Sequence, residues 1–568
     1  MLKTMKHAIT LDLTRPHTRY LSVTCRYTNV QQAQLSLVFP AWVPGSYLIR
    51  DFAADVEDFA AQALGKPLVW TKIDKSCWQI QTNGHASVTV TYRFYAFNLN
   101  VRQGYADDEM VFANLPALLP YPDGYLHERV RLTIKSPKGW KHAQALPKGG
   151  LFANYDALYD APLLAAKKLE VRHFQVGQTS YQLAIWGDSP LDYAELVKDV
   201  AKIVKSETHI FKSNPNPRYV FQILFVKGQY GGLEHRDSST NIFDGSILND
   251  KKDYRRFLAL LAHEHFHLWN VKRIRPEALG PFDYTKEVYT RELWVAEGVT
   301  SYYDDHILLR AGLYTTEQYL ALLADNLNKL ENQRANRVNT LSDSSFDAWT
   351  RFYKPHENQM NTVVSYYLKG GLIMMLLDWH ILKASQGKRS LDDVMRGLQV
   401  IFEKRPERGF SREEFDALLT HELGKAANQF LTDHVDGVKP VDWKAELQTV
   451  GLELKDVPKS FPYYLGVILG KREGKLTVLR ISEDSPAYDS ALIPGDEILA
   501  FDGRRAESDK DLDACLKRPR IKVLFSRYGR VREVVISLVK NQVFNKTIVE
   551  IKKTTPAQLK LRKAFFRS

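Results

Sequence analysis

The sequence predicts a multidomain α+β protein: a β-domain first, a mixed and then helical middle, and a small β-module near the end. Three observations carry this. The chain has 568 residues, and single cores stop growing at about 250–300 residues, beyond which chains divide. The hydrophobic period is two up to about residue 178 and 3.6 from about 190. Short strand-like runs and glycine turns return after residue 455.

Within 1–178, "ASVTVTYRFYAF" sets Val88, Val90, Tyr92 and Phe94 against Thr89, Thr91 and Arg93, the alternation of a half-buried strand. "RVRLTIKSP" and "SYQLAIWGD" are similar, and turn clusters such as "PYPDG" punctuate the runs. These features fit an antiparallel β-sandwich. Residues 179–455 start mixed and become helical. "DYAELVKDVAKIVKSETHIF" is amphipathic, "RYVFQILFVKG" is a strand, and "DYRRFLALLAHEHFHLWNV" is a helix. "TTEQYLALLADNLNKLENQ" and "LDDVMRGLQVIFEKR" continue the helical pattern. Residues 456–540 form the β-module. Residues 541–568 end in "IKKTTPAQLKLRKAFFRS", with six basic and no acidic residues, and read as a solvated tail.

Composition narrows the function classes. An apolar fraction of 44% and a charged fraction of 25% are ordinary for a globular protein. A net charge of +12 over this length is a mild bias, and no nucleic-acid reader motif accompanies it. Cys25, Cys77 and Cys515 are few and far apart, which excludes a disulfide scaffold and a cysteine metal site. The N-terminal stretch lacks the apolar core of a signal peptide. "GGLIMMLLDWHILKA" is broken by Asp378 and too short for a bilayer. The expectation is a cytoplasmic protein bound to neither membrane nor nucleic acid.

"LAHEHFHLWN" concentrates the chemistry. Helical residues four apart share a face and residues two apart do not, so His263 and His267 can share a ligand that His265 cannot join. Glu264 adjoins the first histidine, as in the His-Glu-x-x-His pattern of zinc peptidases, where it acts as general base. Catalytic zinc takes three protein ligands and leaves a position for water. Glu297, in "ELWVAEGVTSYYDD", supplies a third donor thirty residues after His267. Asp304, close to two turns beyond Glu297, is placed to hold the second nitrogen of a ligand histidine. Two histidines and a carboxylate suit zinc better than magnesium or calcium.

"HEHFHLWN" followed by "WVAEGVTSYYDD" resembles a gluzincin metallopeptidase. "YGGLEH" (230–235) resembles the Gly-x-x-Glu segment of gluzincin aminopeptidases, and "SYYLKGGL" (365–372) their Tyr-x-Lys-Gly segment. "FPAWVPGSYLIRDFA" and the C-terminal module extend the likeness to the glycyl aminopeptidase family over almost the whole chain. The resemblance implies a thermolysin-like catalytic domain with a helical extension, and one Zn2+ per chain on His263, His267 and Glu297. It implies Glu264 as the base and Tyr367 as the donor to the oxyanion, with Tyr366 the neighbour most easily confused with it. It implies Glu234 as the anchor of a substrate α-amine, with Gly231 and Gly232 letting a substrate strand approach. His235 stands where better-known aminopeptidases have asparagine. "NVKRIRPE" offers cations for a substrate carboxylate or for a helix C-terminus.

"YYLGVILGKREGKLTVLRISEDSPAYDSALIPGDEILAFDG" resembles a PDZ domain. The amides of Leu465, Gly466 and Val467 match its carboxylate-binding loop, which would hold a peptide C-terminus, although such a module also serves to brace a fold. The activity implied is aminopeptidase action on peptides with small first residues, glycine or alanine. The alternatives are a PDZ-guided endopeptidase and a peptide-binding protein with an inactive site.

Overall fold

The computed structural model describes residues Met5–Phe566; the expectations for residues 1–4 and 567–568 lie outside the described residues. The chain forms two compact units. The first holds residues up to Tyr289 with Tyr303–Leu313 and Met395–Ser411. The second holds Thr290–Tyr302, Tyr314–Val394 and the residues from Arg412 on. Multidomain α+β architecture, β-rich at the N-terminus and helical in the middle, is what the chain adopts.

The first unit is built on β1 (Lys6–Asp12), β2 (Tyr20–Thr28), β3 (Val56–Ala63), β4 (Ser87–Tyr95) and β5 (Val130–Lys135). They lie in a seven-stranded sheet in the order β5-β1-β2-β4-β3, with two-residue strands at its edges. β1 and β5 are parallel, and β1, β2, β4 and β3 alternate in direction. In β4, Val88, Val90, Tyr92 and Phe94 are buried while the residues between them are not, because one face packs and the other meets solvent.

A second sheet follows: β6 (Glu170–Val176), β7 (Thr179–Trp186), β8 (Arg218–Phe225), β9 (Tyr230–Glu234) and β10 (Ser238–Phe243). Its order is β6-β7-β8-β10-β9, which makes β9 an edge strand. β8 is central and buried along almost its whole length, hence its unbroken apolar sequence. Helix α1 (Tyr193–Phe211) is capped by Asp192, whose side chain accepts from Ala194 N–H, and α2 (Lys251–Phe266) by Asp250, which accepts from Lys252 and Asp253. The core under the first sheet continues without a break into the second, taking in Ala184, Val220, Leu224 and Leu233. This shared core carries the unit across the boundary expected at 178.

The second unit contains α3 in its first turn (Val299–Arg310 overall), α4 (Thr316–Glu331), α5 (Leu368–Ala384) and α6 (Pro556–Phe566). Its small sheet comprises β12 (Val467–Arg472), β13 (Lys475–Ile481), β14 (Glu497–Phe501), β15 (Arg520–Arg527) and β16 (Arg530–Ser537) in that order. Leu465, Val478, Ile498, Val523 and Phe525 form its own core. The turn in "IPGDEIL" is fixed by Asp496, fully buried, which takes two hydrogen bonds of 2.8 Å from Arg527. Strand β11 (Leu452–Asp456) pairs with β17 (Lys546–Glu550).

Residues 541–568 were expected to be a solvated tail. Their described part instead forms β17 and α6, with Phe565 fully buried against Trp379 (ring centroids 5.4 Å apart) and Tyr319 (6.2 Å). The lysines dominate the composition, but two adjacent phenylalanines fix the helix. No helix of the described residues is long and apolar enough to cross a membrane. Phe565→Ala is expected to cost about 3–5 kcal/mol and lower the urea midpoint. Lys560→Ala on the exposed face should leave the midpoint within about 0.5 kcal/mol of wild type.

Candidate metal centre

Helix α2 presents the histidines. Its α-helical part ends at Phe266, and His267 caps it, still in helical conformation, with its N–H on the His263 carbonyl at 3.3 Å. The sequence predicts a helix through Val271; turns take over instead, and the four-residue spacing survives. The two imidazole centroids are 4.7 Å apart with the rings at 85°.

Each ring is held from behind. His263 Nδ1 lies 3.0 Å from Asp304 Oδ2, and His267 Nδ1 lies 2.6 Å from the Asn270 carbonyl. A carbonyl only accepts, so His267 Nδ1 carries the proton and Nε2 the lone pair; the Asp304 carboxylate favours the same tautomer at His263. Two Nε2 donors in this state fit a zinc ion. Burial pushes the Asp304 carboxyl up, and its hydrogen bond to His263 opposes this.

His265 faces the other way, as the spacing predicts. It is fully buried, its Nδ1 is hydrogen-bonded to Glu207 of α1, and burial lowers it to about 3, so it is neutral. Burial also raises Glu207 well above the carboxylate range. Sequence reasoning did not single out Glu207. Its signal was a lone carboxylate inside the apolar stripe Ile203, Val204, Ile210, Phe211 of α1.

The edge strand β9 runs beside this helix. A β-carbon on Gly232 would overlap the Glu264 carboxylate, so glycine is required there. A β-carbon built on Gly231 would meet only Ile242 Cγ2, at 3.9 Å, an ordinary contact. Glu234 is buried, and one side-chain oxygen each of Glu234 and Glu264 and one ring nitrogen of His267 lie within 4.8 Å of one another. Gly45 of "WVPGSY", at φ +84°, brings its backbone against the Glu234 carboxylate where a side chain would not fit. The role of Gly45 was not visible in sequence, because its partner lies almost two hundred residues away.

His235 turns from this site to Asp160, 3.2 Å from its Nδ1. Lys272 Nζ approaches the same carboxylate at 2.7 Å, and the Arg236 N–H donates to it at 2.8 Å. Burial alone would raise the Asp160 carboxyl; Lys272 and His235 hold it below the usual range. Arg273 is buried and donates to the Leu268 carbonyl at 2.7 Å and to Asn216. The first two cations of "NVKRIRPE" are therefore committed internally, which favours their structural role. Glu234, His235, Lys272 and Tyr284 line a cavity of about 210 Å³.

In the second unit, Glu297 sits in a single π-helical turn, Trp294–Gly298, rather than in the regular helix the sequence predicts. Such turns concentrate at functional sites. The turn packs on the start of α5 glycine to glycine: a β-carbon on Gly298 would lie 2.8 Å from Gly370 Cα. This explains the glycine in Tyr-x-Lys-Gly. Lys369, buried, donates to the Asn336 carbonyl at 3.2 Å, and burial lowers it to about 8.

The two tyrosines before α5 differ. Tyr366 is fully buried. Tyr367 is half-buried and stacks on Tyr366 (4.8 Å) and Phe352 (5.7 Å), with its hydroxyl 3.4 Å from that of Tyr353. Burial, then the Glu297 charge, raises Tyr367 well above the usual tyrosine range. At the small sheet, Gly466 has φ +89° and its carbonyl accepts from Ser482 N–H at 2.9 Å, while the Leu465 carbonyl accepts from Ala487 N–H at 3.0 Å. Val467 opens the edge strand β12.

Residues 256–373 match the family model described as M61 glycyl aminopeptidase, and residues 8–167 match the peptidase M61 N-terminal domain. Both matched segments belong to models of the M61 peptidase family. Among solved structures, it is similar to an aminopeptidase N family protein from Idiomarina loihiensis. The two share 29% identity and a TM-score of 0.92, covering 98% of this chain and 99% of that one. An M1 zinc metallopeptidase from Deinococcus radiodurans shares 15% identity at a TM-score of 0.48, covering 77% of this chain and 96% of that one. No match was found among curated proteins. The M61 peptidase segment includes His263, Glu264, His267, Glu297, Asp304 and Tyr367; Glu234 and the small C-terminal sheet lie outside both matched segments.

Two outcomes are expected. Gly232→Ala should cost about 1–3 kcal/mol in thermal stability, since the buried Glu264 side chain or the strand must shift. Asp304→Asn should weaken zinc retention against a competing chelator by about 10–100-fold.

Proposed function

We propose that the protein is a zinc-dependent aminopeptidase that hydrolyses the first peptide bond of peptides, with a preference for glycine or alanine at the first position. The observation that carries the reading is the proximity of Glu234 to Glu264 and His267. A protonated amine removed from water needs a fixed anion. An anion so near the base leaves room for one residue before the bond to be cut. The Gly45 backbone lies against that carboxylate and limits its movement. The glycine or alanine preference rests on the family description.

In this reading His263, His267 and Glu297 hold one zinc ion. When bound, zinc polarises the substrate carbonyl and makes water a nucleophile near neutral pH. Glu264 takes a proton from the attacking water and passes it to the leaving amine. Tyr367 donates its hydroxyl proton in a hydrogen bond to the carbonyl oxygen as negative charge develops there. Its raised pKa supports this role, because the hydroxyl stays protonated through the neutral range. Gly231 and Gly232 leave the edge of β9 open for the substrate backbone, and Asp304 keeps His263 in its tautomer. Residues 456–540 act as a PDZ-like module whose Leu465–Val467 loop takes a peptide C-terminus.

The test compares release of the first amino acid from Gly-, Ala- and Leu-initial peptides, each free and N-acetylated. Only the free peptides should be cut, glycine and alanine fastest. Glu234→Ala should lower kcat/KM by about 10–100-fold, mainly through KM, as expected for loss of a charge-assisted hydrogen bond. Glu264→Gln should lose about 10²–10⁴-fold in kcat while retaining zinc. Equal cleavage of free and acetylated peptides would overturn the amine anchor and favour an endopeptidase.

A further inference from the structure

The small C-terminal sheet is fastened to the peptidase helices of its own unit by one buried side chain. Asn361 lies in the helical turn Gln359–Thr362 and is fully buried. Its Nδ2 donates to the Ile481 carbonyl at 2.8 Å and to Asn358 Oδ1 at 2.7 Å, while its Oδ1 accepts from Glu483 N–H at 2.9 Å. The carboxamide thus bridges both sides of the turn that follows β13. Arg334 closes the clamp, with NH1 3.2 Å from the Asn361 carbonyl and 3.0 Å from Glu483 Oε2. A buried amide with its donors and acceptor all engaged holds one geometry, because any shift leaves a polar group unsatisfied.

From Asn361 two routes lead to Tyr367. The first is the chain itself. Val364 N–H donates to Asn339 Oδ1 at 3.0 Å, and Ser344 Oγ donates to the Val364 carbonyl at 2.5 Å. Only Ser365 and Tyr366 then separate this pinned residue from Tyr367. The second runs through Arg351, which donates to the Thr362 carbonyl at 3.0 Å. The next two residues are Phe352 and Tyr353, which stack on and hydrogen-bond to Tyr367.

We propose that Asn361 is a positioning residue: by clamping the Ile481–Glu483 turn of the small sheet to the 358–364 segment, it sets the place of the Tyr367 hydroxyl. The proposal rests on the reading of Tyr367 as the donor to the developing oxyanion. It makes the small sheet part of the catalytic scaffold. That sheet's loop shares the clamped turn, because the Gly466 carbonyl is bonded to Ser482 N–H and the Gly466 α-carbon packs on Ser485 with no space for a side chain.

The experiment is a double-mutant cycle in the full chain, with kcat, KM and zinc content measured for Asn361→Ala, Tyr367→Phe and the pair. Asn361→Ala should lower kcat by about tenfold or more, the scale of a small misplacement of a catalytic group. KM and zinc content should stay within about twofold of wild type, since substrate anchoring and ligands are untouched. In the Tyr367→Phe background, Asn361→Ala should cost nothing further in kcat. Independent, multiplicative losses would overturn the positioning role, as would wild-type kcat in Asn361→Ala. Wild-type kcat in Tyr367→Phe would instead overturn the assignment of Tyr367. Should Asn361→Ala fail to fold, Arg334→Met in the same cycle serves, with about a threefold loss of kcat expected and the same absence of effect in Tyr367→Phe.

Discussion

The candidate centre depends on two imidazoles fixed through their inner nitrogens. The Asn270 carbonyl at His267 and the Asp304 carboxylate at His263 leave both Nε2 atoms as acceptors. Without those partners each ring would sample two tautomers and several rotations, and two donors would seldom point together. The end of α2 at Phe266 belongs to this device, because the turn beyond it brings the Asn270 carbonyl back to His267. His265 shows what the same residue type does elsewhere. Buried against Glu207 and kept neutral, it anchors α2 to α1.

A second constraint is steric. Gly232 admits the Glu264 carboxylate, Gly45 admits that of Glu234, and Gly298 and Gly370 admit each other's backbone. At the first two points a carboxylate, and at the third a second backbone, comes nearer to main chain than any β-carbon permits. The groups are then placed by walls of backbone, which have no rotamers to lose, so little conformational entropy opposes holding them. Tyr367 has no such wall. It is held by Tyr366, Phe352 and Tyr353, side chains that need bracing of their own.

What could be read from the sequence follows the range of the interaction. The alternation in β4 and the buried run of β8 are local periodicities and appear as read, as does the helix that presents His263 and His267, apart from its earlier end at Phe266. Glu297 and Glu234 were proposed from motif spacing, but the π-helical turn around Glu297 was not legible, because it answers to packing against Gly370. Gly45 and Glu207 act on partners distant in the chain. Composition misled at the C-terminus, where exposed lysines outnumber the two phenylalanines that dock α6. The cores under the two sheets of the first unit merge, and no change of period marks that.

Glu234 illustrates how position rather than residue type sets an activity. A glutamate on an edge strand is unremarkable by composition, and β9 alone would accept an extended peptide of any length. Its carboxylate lies within 4.8 Å of donor atoms on Glu264 and His267, which in the proposed reading would make that edge finite. Desolvating a second, uncharged segment against a buried anion is unfavourable, whereas an α-ammonium recovers in one charge-assisted contact what it loses in hydration. In the proposed aminopeptidase reading, the same carboxylate would exclude a continuing chain and reward a terminus. Its reach is fixed by Gly45, the backbone that keeps it from swinging away. On that reading, selectivity for a chain end would arise from the N-terminal β-domain as much as from the helix that bears the histidines.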